Sequence, residues 1–450
     1  MRIHFIAIGG SAMHNLAIAL HKKGFIVTGS DDVIFEPSSS RLDSYGLLPA
    51  NFGWFEESIN TDIDAVILGM HARLDNPELL KAQELGLKIY SYPEYIYEQS
   101  KDKVRVVIGG SHGKTTITSM ILHVLNYYKR DFDYLVGAQL AGFETMVKVT
   151  DSAPVMIIEG DEYLASPIDR RPKFHLYHAN IGVISGIAWD HINVFPTFGD
   201  YISQFNKFIE TIISGGKLIY CKNDVELRNI VINSKANITH IPYAIPSHKV
   251  VNGVTYILPQ NTPLKVFGDH NLMNLNAARL VCEELGINED DFNAAIASFT
   301  GAAKRLELLN AKNETSVYKD FAHSPSKLKA TIDAVKAQFT NRSLVACIEL
   351  HTFSSLNKTF LDEYRDSMKE ADIAVVYIDE KTFKHKKMEP LDELDVRTSF
   401  NDKNIKFFNE ASALEAYLRG LNFKNTNLLL MSSGNFGGMD LVNLALELNV

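Results

Sequence analysis

Basic residues are in short supply in this chain. Lys and Arg number 45 against 54 Asp and Glu, a formal net charge of −9 across 450 residues. A general nucleic-acid binder needs a basic surface to release counterions from phosphates. No nucleic-acid partner is therefore expected, although a local cationic pocket for an acidic small molecule stays open. Cysteine is scarcer still. Cys221, Cys282 and Cys347 are widely spaced, no pair has metal-ligand spacing, and an odd count suits a reducing compartment. Buried, inert thiols are the expectation. No uninterrupted apolar run reaches the ~18 residues of a membrane span. The opening MRIHFIAIGG reads as a strand running into glycines, not as a charged flank, an apolar core and a cleavage site. These absences point to a soluble, cytoplasmic protein with no membrane partner.

What is present is globular: 46% apolar and 22% charged residues, in a chain too long for one ordinary core. Ile3–Ile8, Phe25–Thr28, Ala65–Leu68 and Leu87–Ile89 read as strands, and Ala12–Lys23 has helical spacing. The polar segment Glu98–Lys103 is a candidate linker. A second unit opens with a strand at Val104–Ile108 and a helix at Lys114–Tyr127, continues through strands at Val155–Glu159, Gly182–Ile187 and Lys217–Tyr220, and closes with a helix at Asn271–Leu285. A third unit carries strands near Val317–Phe321, Ser343–Ile348, Ile373–Ile378 and Asn427–Met431. Alternation of this kind predicts parallel sheets covered by helices, hence three α/β units in a row.

The stretch Val107–Thr116, VIGGSHGKTT, carries the clearest chemistry. A strand entering a glycine turn that opens a helix leaves backbone N–H groups of Gly110, Ser111, His112, Gly113 and Thr116 converging where the helix dipole favours an anion. Lys114 would reach the β- and γ-phosphates and the Thr115 hydroxyl would hold Mg²⁺. The full phosphate-loop spacing asks for a glycine where Ile108 stands, so the loop is a shortened one. A chance Gly-Lys-Thr is the competing account, and the joint arrival of strand, glycines, lysine and helix argues against it.

Other candidates sit at strand ends, where open α/β sheets bind ligands. Glu159 in VMIIEGDEY is placed as a metal ligand, against solvated acids at a helix start. His191, after Trp189-Asp190, is a second ligand or a hydrogen-bonded loop histidine. Asn271 and Asn274, three apart at a helix start, could bond a purine edge or cap the helix. Arg305 and Asp320, within KRLE and KDFAHSP, suit a phosphate and a ribose, or else surface ion pairs. Gly9-Gly10-Ser11, with Asp31 about twenty residues later, resembles a dinucleotide turn. Its spacing leaves the second and third glycines of G-x-G-x-x-G out of register, so a nucleotide diphosphate without nicotinamide fits as well as an oxidoreductase.

Together these residues resemble the Mur ligases, the ATP-dependent amide-forming enzymes of peptidoglycan assembly, whose short loop G-x-x-G-K-T is matched by Gly110, Gly113, Lys114 and Thr115. The resemblance spans essentially the whole chain. It implies a Rossmann-like N-terminal domain for the UDP-sugar (1–99), a central P-loop ATPase domain (100–299) and a C-terminal Rossmann-like domain for the amine (300–450). It implies that Lys114 steadies phosphates, that Thr115, Glu159 and His191 hold Mg²⁺, and that Asn271, Asn274, Arg305 and Asp320 contact ATP. Gly9, Gly10, Ser11 and Asp31 would face the UDP part, and His323 would lie near the reacting centre. Within the family, EGDEYLASPIDRRPKF, KDFAHSP and SSGNFGG are similar to the branch that joins UDP-N-acetylmuramate to the tripeptide L-Ala-γ-D-Glu-meso-diaminopimelate. The alternatives are the L-alanine-adding branch and a nucleotide-binding relative without ligase activity. A monomer or weak homodimer is expected. The chain departs from its relatives at Ser185–Ala188, where they carry polar Asn and Glu, and in LHTFSSLNK (Leu350–Lys358), which lacks an arginine expected near the amine.

Overall fold

Strand Val104–Gly109 is buried along five of its six residues and sits inside a seven-stranded sheet. Parallel partners Ile181–Ile184 and Val155–Glu159 flank it. A parallel strand covered on both faces must be apolar almost throughout, which is why VRVVIG carries one polar residue. The sheet runs in the order Thr239–Tyr243, Lys217–Cys221, Ile181–Ile184, Val104–Gly109, Val155–Glu159, Asp133–Leu135, Val147–Lys148, and only the last pair is antiparallel. The computed structural model describes residues 1–140, 142–189, 194–302 and 305–448, with the side chains of 384 and 385 left aside.

By its contacts the chain forms two compact units. The first comprises residues 1–187, 194–244 and 277–289. It holds the seven-stranded sheet and a four-stranded parallel sheet in the order Ile26–Ser30, Arg2–Ile6, Ala65–Leu68, Ile89–Ser91. The last strand lies two residues beyond the expected Leu87–Ile89. The expected linker at Glu98–Lys103 is not loose. Its first half completes helix Tyr92–Ser100, begun by a Ser91/Glu94 capping box. The buried Arg105 guanidinium then donates to the carbonyls of Ser100 (2.9 Å), Lys101 (2.8 Å) and Tyr177 (2.9 Å), which satisfies backbone that a linker would expose to water.

Helix Phe198–Thr211 shows why such a surface helix docks. Tyr201, Phe205, Phe208 and Ile209 share its buried stripe, and Thr197 caps it by accepting from Asp200 N (3.1 Å). Phe174 stacks on Phe208 (centroids 4.8 Å apart) and meets Phe205 edge-on (5.6 Å). Truncating Phe205 to alanine would cost about 3–5 kcal/mol. This helix holds Tyr201 in place for the site.

The second unit comprises residues 188–193, 245–276 and 290–450. A six-stranded sheet, in the order Glu307–Lys312, Thr315–Asp320, Thr426–Met431, Ser343–Glu349, Ile373–Tyr377, Lys406–Phe408, is parallel apart from its first pair. Separate apolar clusters cover its two faces, one around Leu328, Ile332 and Val335, the other around Leu414, Leu418 and Leu444. A small antiparallel sheet of His248–Val251, Val254–Ile257 and Thr262–Leu264 lies in the same unit. All three cysteines are buried and free, and burial pushes the Cys282 and Cys347 thiols up, so they are inert as expected. Among the described residues, no helix is long and apolar enough to cross a membrane.

Candidate active site

The glycine loop in the first unit is shaped by close approach. Gly110 (φ 123°) and Gly113 (φ 79°) occupy backbone conformations that side chains disfavour. A Cβ on Gly110 would collide with Ser185, whose backbone N it would meet at 2.8 Å. Ser185 N donates to Gly109 O (3.2 Å), Ser111 N to Gly186 O (3.0 Å), and the Ser185 hydroxyl to His112 O. Ser185 and Gly186, one of the departures noted above, therefore brace the loop itself. Helix Lys114–Tyr127 starts directly from it.

Lys114 Nζ donates to Gly110 O (2.7 Å) and to Glu162 Oε2 (2.8 Å). Burial works against its charge but is outweighed by the carboxylates of Glu162, Asp161 and Glu159, so its pKa is raised and it stays an ammonium. Glu162 is 0% exposed; its other oxygen accepts from Tyr201 OH (3.1 Å), which lies 2.9 Å from Ser111 Oγ. Thr115 Oγ1 donates to Glu159 Oε1 (2.8 Å), and Gly137 N to Glu159 Oε2 (2.9 Å). Glu159 is 8% exposed and the next helical turn begins only at Lys173, so the account of solvated acids at a helix start fails. Sequence reading did not single out Glu162 or Tyr201. The only local hint was the pair of acids Asp161-Glu162 just after Glu159.

Thr115 and Glu159 thus come together as oxygen donors that suit a hard cation. His191 lies outside the described residues, and among those described no cluster of three His, Cys, Asp or Glu side chains could hold a metal. At the N-terminal turn, Asp31 Oδ2 accepts from Gly9 N (2.7 Å) and Oδ1 from Asp32 N (3.0 Å). Burial and the neighbouring Asp32 raise its pKa. A Cβ on Gly9 would meet Asp31 Oδ2 at 2.9 Å, so aspartate and glycine define each other's position, with Gly10 and the exposed Ser11 completing the turn.

In the second unit, Asn271 Nδ2 donates to Phe267 O (2.9 Å), a bond to the preceding turn rather than an N-terminal cap, and Asn274 is buried on the same helix. Burial lowers the His270 pKa, with Asp320 opposing. Asp320 accepts from Leu306 N (2.6 Å) and Ala322 N (2.7 Å), so it is a backbone organiser and not half of a surface ion pair. The Arg305 guanidinium lies over the Phe321 ring (4.7 Å), and His323 Nδ1 lies 2.7 Å from Phe321 O. The loop 351–357 follows strand Ser343–Glu349. Lys358 there is paired with Asp395 (2.5 Å), while Lys386 Nζ sits over Phe353 (4.3 Å), a ring 59% exposed.

A shortened phosphate loop with a held lysine and a Thr–Glu oxygen pair, on a multidomain α/β frame, defines a nucleotide-dependent enzyme. Residues 2–103 match the Mur ligase family catalytic domain and residues 108–282 the Mur ligase middle domain. The UDP-N-acetylmuramate–L-alanine ligase of Caldicellulosiruptor bescii is 31% identical over 390 residues, 83% of this chain and 82% of that protein. The fold is shared with a murein peptide ligase of Psychrobacter arcticus (TM-score 0.63, 21% identity, 100% and 99% of the two chains). It is shared equally with the UDP-N-acetylmuramate–alanine ligase of Thermotoga maritima (TM-score 0.67, 21% identity, 97% and 96%). The chain belongs to the Mur ligase family, and is an ATP-dependent ligase that forms a C–N bond.

Proposed function

We propose that this ligase joins the lactyl carboxylate of UDP-N-acetylmuramate to an amine, in the build-up or recycling of peptidoglycan. The observation that carries the reading is the pairing of Lys114 with Glu162 beside Thr115 and Glu159 on the GGSHGKTT loop. A carboxylate reacts poorly with an amine because oxide is a poor leaving group. Transfer of the γ-phosphoryl group of ATP to that carboxylate gives an acyl phosphate and ADP. The amine nitrogen then attacks the carbonyl carbon, phosphate leaves, and the nitrogen sheds a proton. In this scheme Lys114 swings from Glu162 to the transferring phosphoryl group, whose charge it offsets. Thr115 and Glu159 would hold Mg²⁺, which when bound neutralises phosphate charge. Residues 1–99 would take the UDP-sugar, 100–299 ATP and 300–450 the amine, a cytoplasmic setting being the one that supplies both nucleotides.

For the amine, two readings have distinct support. The name of the curated relative favours L-alanine. The tripeptide is favoured by the resemblance of EGDEYLASPIDRRPKF and by the loop 351–357, where Phe353 is open to solvent under Lys386. A ligand as small as alanine needs an enclosing pocket, whereas an extended peptide with several carboxylates suits an open platform. The names of the relatives back L-alanine better, and the tripeptide, favoured by the open loop, is the reading put to the test. ADP release with UDP-N-acetylmuramate and, in parallel, L-alanine or the tripeptide decides it. ADP release that needs neither sugar nor amine would overturn the ligase reading itself.

A further inference from the structure

Asn15 is 0% exposed, and both ends of its amide are used. Oδ1 accepts from Met146 N (2.9 Å), while Nδ2 lies 2.8 Å from Ser11 O and 2.9 Å from His14 Nε2. These contacts orient one another. A backbone N–H can only donate, so the amide oxygen faces Met146, and the amide nitrogen must serve Ser11 and His14. His14 Nδ1 in turn lies 3.0 Å from Gly10 O, an acceptor only, and 3.0 Å from Ser38 Oγ. The ring is therefore protonated at Nδ1 and accepts at Nε2. One amide holds the carbonyls of the Gly9-Gly10-Ser11 turn, directly and through His14, and also a distant loop.

That loop leads to the metal-ligand candidate. Val136 N donates to Met146 O (2.9 Å), closing the base of the segment 136–146, and the next residue, Gly137, donates its N–H to Glu159 Oε2. A Cβ on Gly137 would meet Glu159 Oε1 at 2.7 Å, so a shift of this segment displaces the carboxylate. Other tethers run from the same side of the N-terminal region: Lys22 pairs with Glu144 (2.6 Å), the Arg41 guanidinium reaches Gln139 Oε1 (3.2 Å), and the Tyr45 hydroxyl donates to Glu144. All of these lie within one compact unit.

We propose that Asn15 is a positioning residue that couples occupancy of the N-terminal glycine turn to the placement of Glu159, through Met146 and Gly137. The inference rests on the reading that this turn receives UDP-N-acetylmuramate. When a ligand orders the Gly9-Gly10-Ser11 turn, Asn15, which holds the carbonyl of Ser11 directly and that of Gly10 through His14, orders Met146 and Val136, and Glu159 is set for phosphoryl transfer before the amine arrives. Coupling of this kind is reciprocal. Sugar should tighten MgADP, and MgADP should tighten sugar by the same factor.

Calorimetry of MgADP with and without saturating UDP-N-acetylmuramate reads that factor. We expect about fivefold or more in the wild type, and a factor near one in Asn15→Ser, whose shorter side chain cannot span both partners. Each ligand alone should bind Asn15→Ser within about threefold of the wild type, because the residue touches neither. A purely structural bridge would lower the melting temperature and leave the factor intact, which would overturn the proposal. Should Asn15→Ser fail to fold, hydrogen exchange on the wild type tests the same point. Sugar binding must slow exchange in 136–147, and bound sugar without that protection would also overturn it. Binding of MgADP without any binding of sugar would sink the substrate reading instead, and the coupling with it.

Discussion

Lys114 Nζ stands 2.8 Å from Glu162 Oε2, and the two share a buried site in which neither can lose the other without consequence. An ammonium held only for phosphate would wait in solvent. Here it waits on a carboxylate that is itself fixed by Tyr201, so the loop is preorganised, and the arriving phosphoryl group competes for Lys114 against a defined partner.

That pairing separates a structural from a catalytic role. Lys114→Met should abolish ADP release, since removing such a donor costs about a hundredfold or more. It should also destabilise the protein by about 3 kcal/mol, because the buried Glu162 carboxylate loses its ammonium counter-charge. Adding Glu162→Gln should restore much of the stability and none of the turnover. Urea melts and an ADP-release assay on the single and double variants check both halves. Recovery of activity in the double variant would mean that the lysine serves the fold alone.

Thr115 and Glu159 predict a different phenotype. Thr115→Val and Glu159→Gln should each raise the Mg²⁺ concentration for half-maximal activity, with Glu159→Gln the larger effect because it removes a formal charge. Titration of Mg²⁺ at saturating ATP checks this. Unchanged midpoints in both variants would place the cation elsewhere.

Much of this site was legible because its parts are contiguous. VIGGSHGKTT shows strand, turn and helix within ten letters, and its glycines are forced by backbone conformation and by the approach of Ser185. Glu162 and Tyr201 were not legible as partners of that loop. Their roles come from packing across 48 and 90 residues of chain, which no local pattern encodes. The antiparallel sheet at 248–264 was missed for a related reason. Strand His248–Val251 is mostly exposed, so burial imposes no alternation on it. Asp320 also organises its own turn by accepting from Leu306 N and Ala322 N, a geometry that composition alone does not reveal.

Buried imidazoles set a pH dependence. Burial pushes His175 down to about 4, the bond to Gln204 O opposing, and burial lowers His14 as well. The unfolded chain therefore binds more protons than the folded one between about 4 and the unperturbed value near 6.5. Stability contributed by a neutral His175 is present above that window and is lost as pH falls through it, by at most about 3 kcal/mol. Urea midpoints should rise from pH 4 to 6.5, and His175→Gln should flatten the slope. An unaltered slope in that variant would assign the dependence to other groups.

The amine preference is where the C-terminal residues speak most directly. The loop 351–357 has no arginine to grip a carboxylate through two parallel bonds. Lys358 cannot substitute freely, because it is paired with Asp395. Lys386, over the exposed ring of Phe353, is better placed to meet a carboxylate on a peptide lying across the platform. A tripeptide offers several carboxylates and a long backbone, so a single lost anchor costs it proportionally less than it costs L-alanine. The expected result is a clear preference for tripeptide in kcat/KM, with a high tripeptide KM that rises about three- to tenfold in Lys386→Met. Lys358→Ala should leave that KM unchanged. Comparable or better efficiency with L-alanine would move the chain to the alanine-adding branch, in line with the name its curated relative carries.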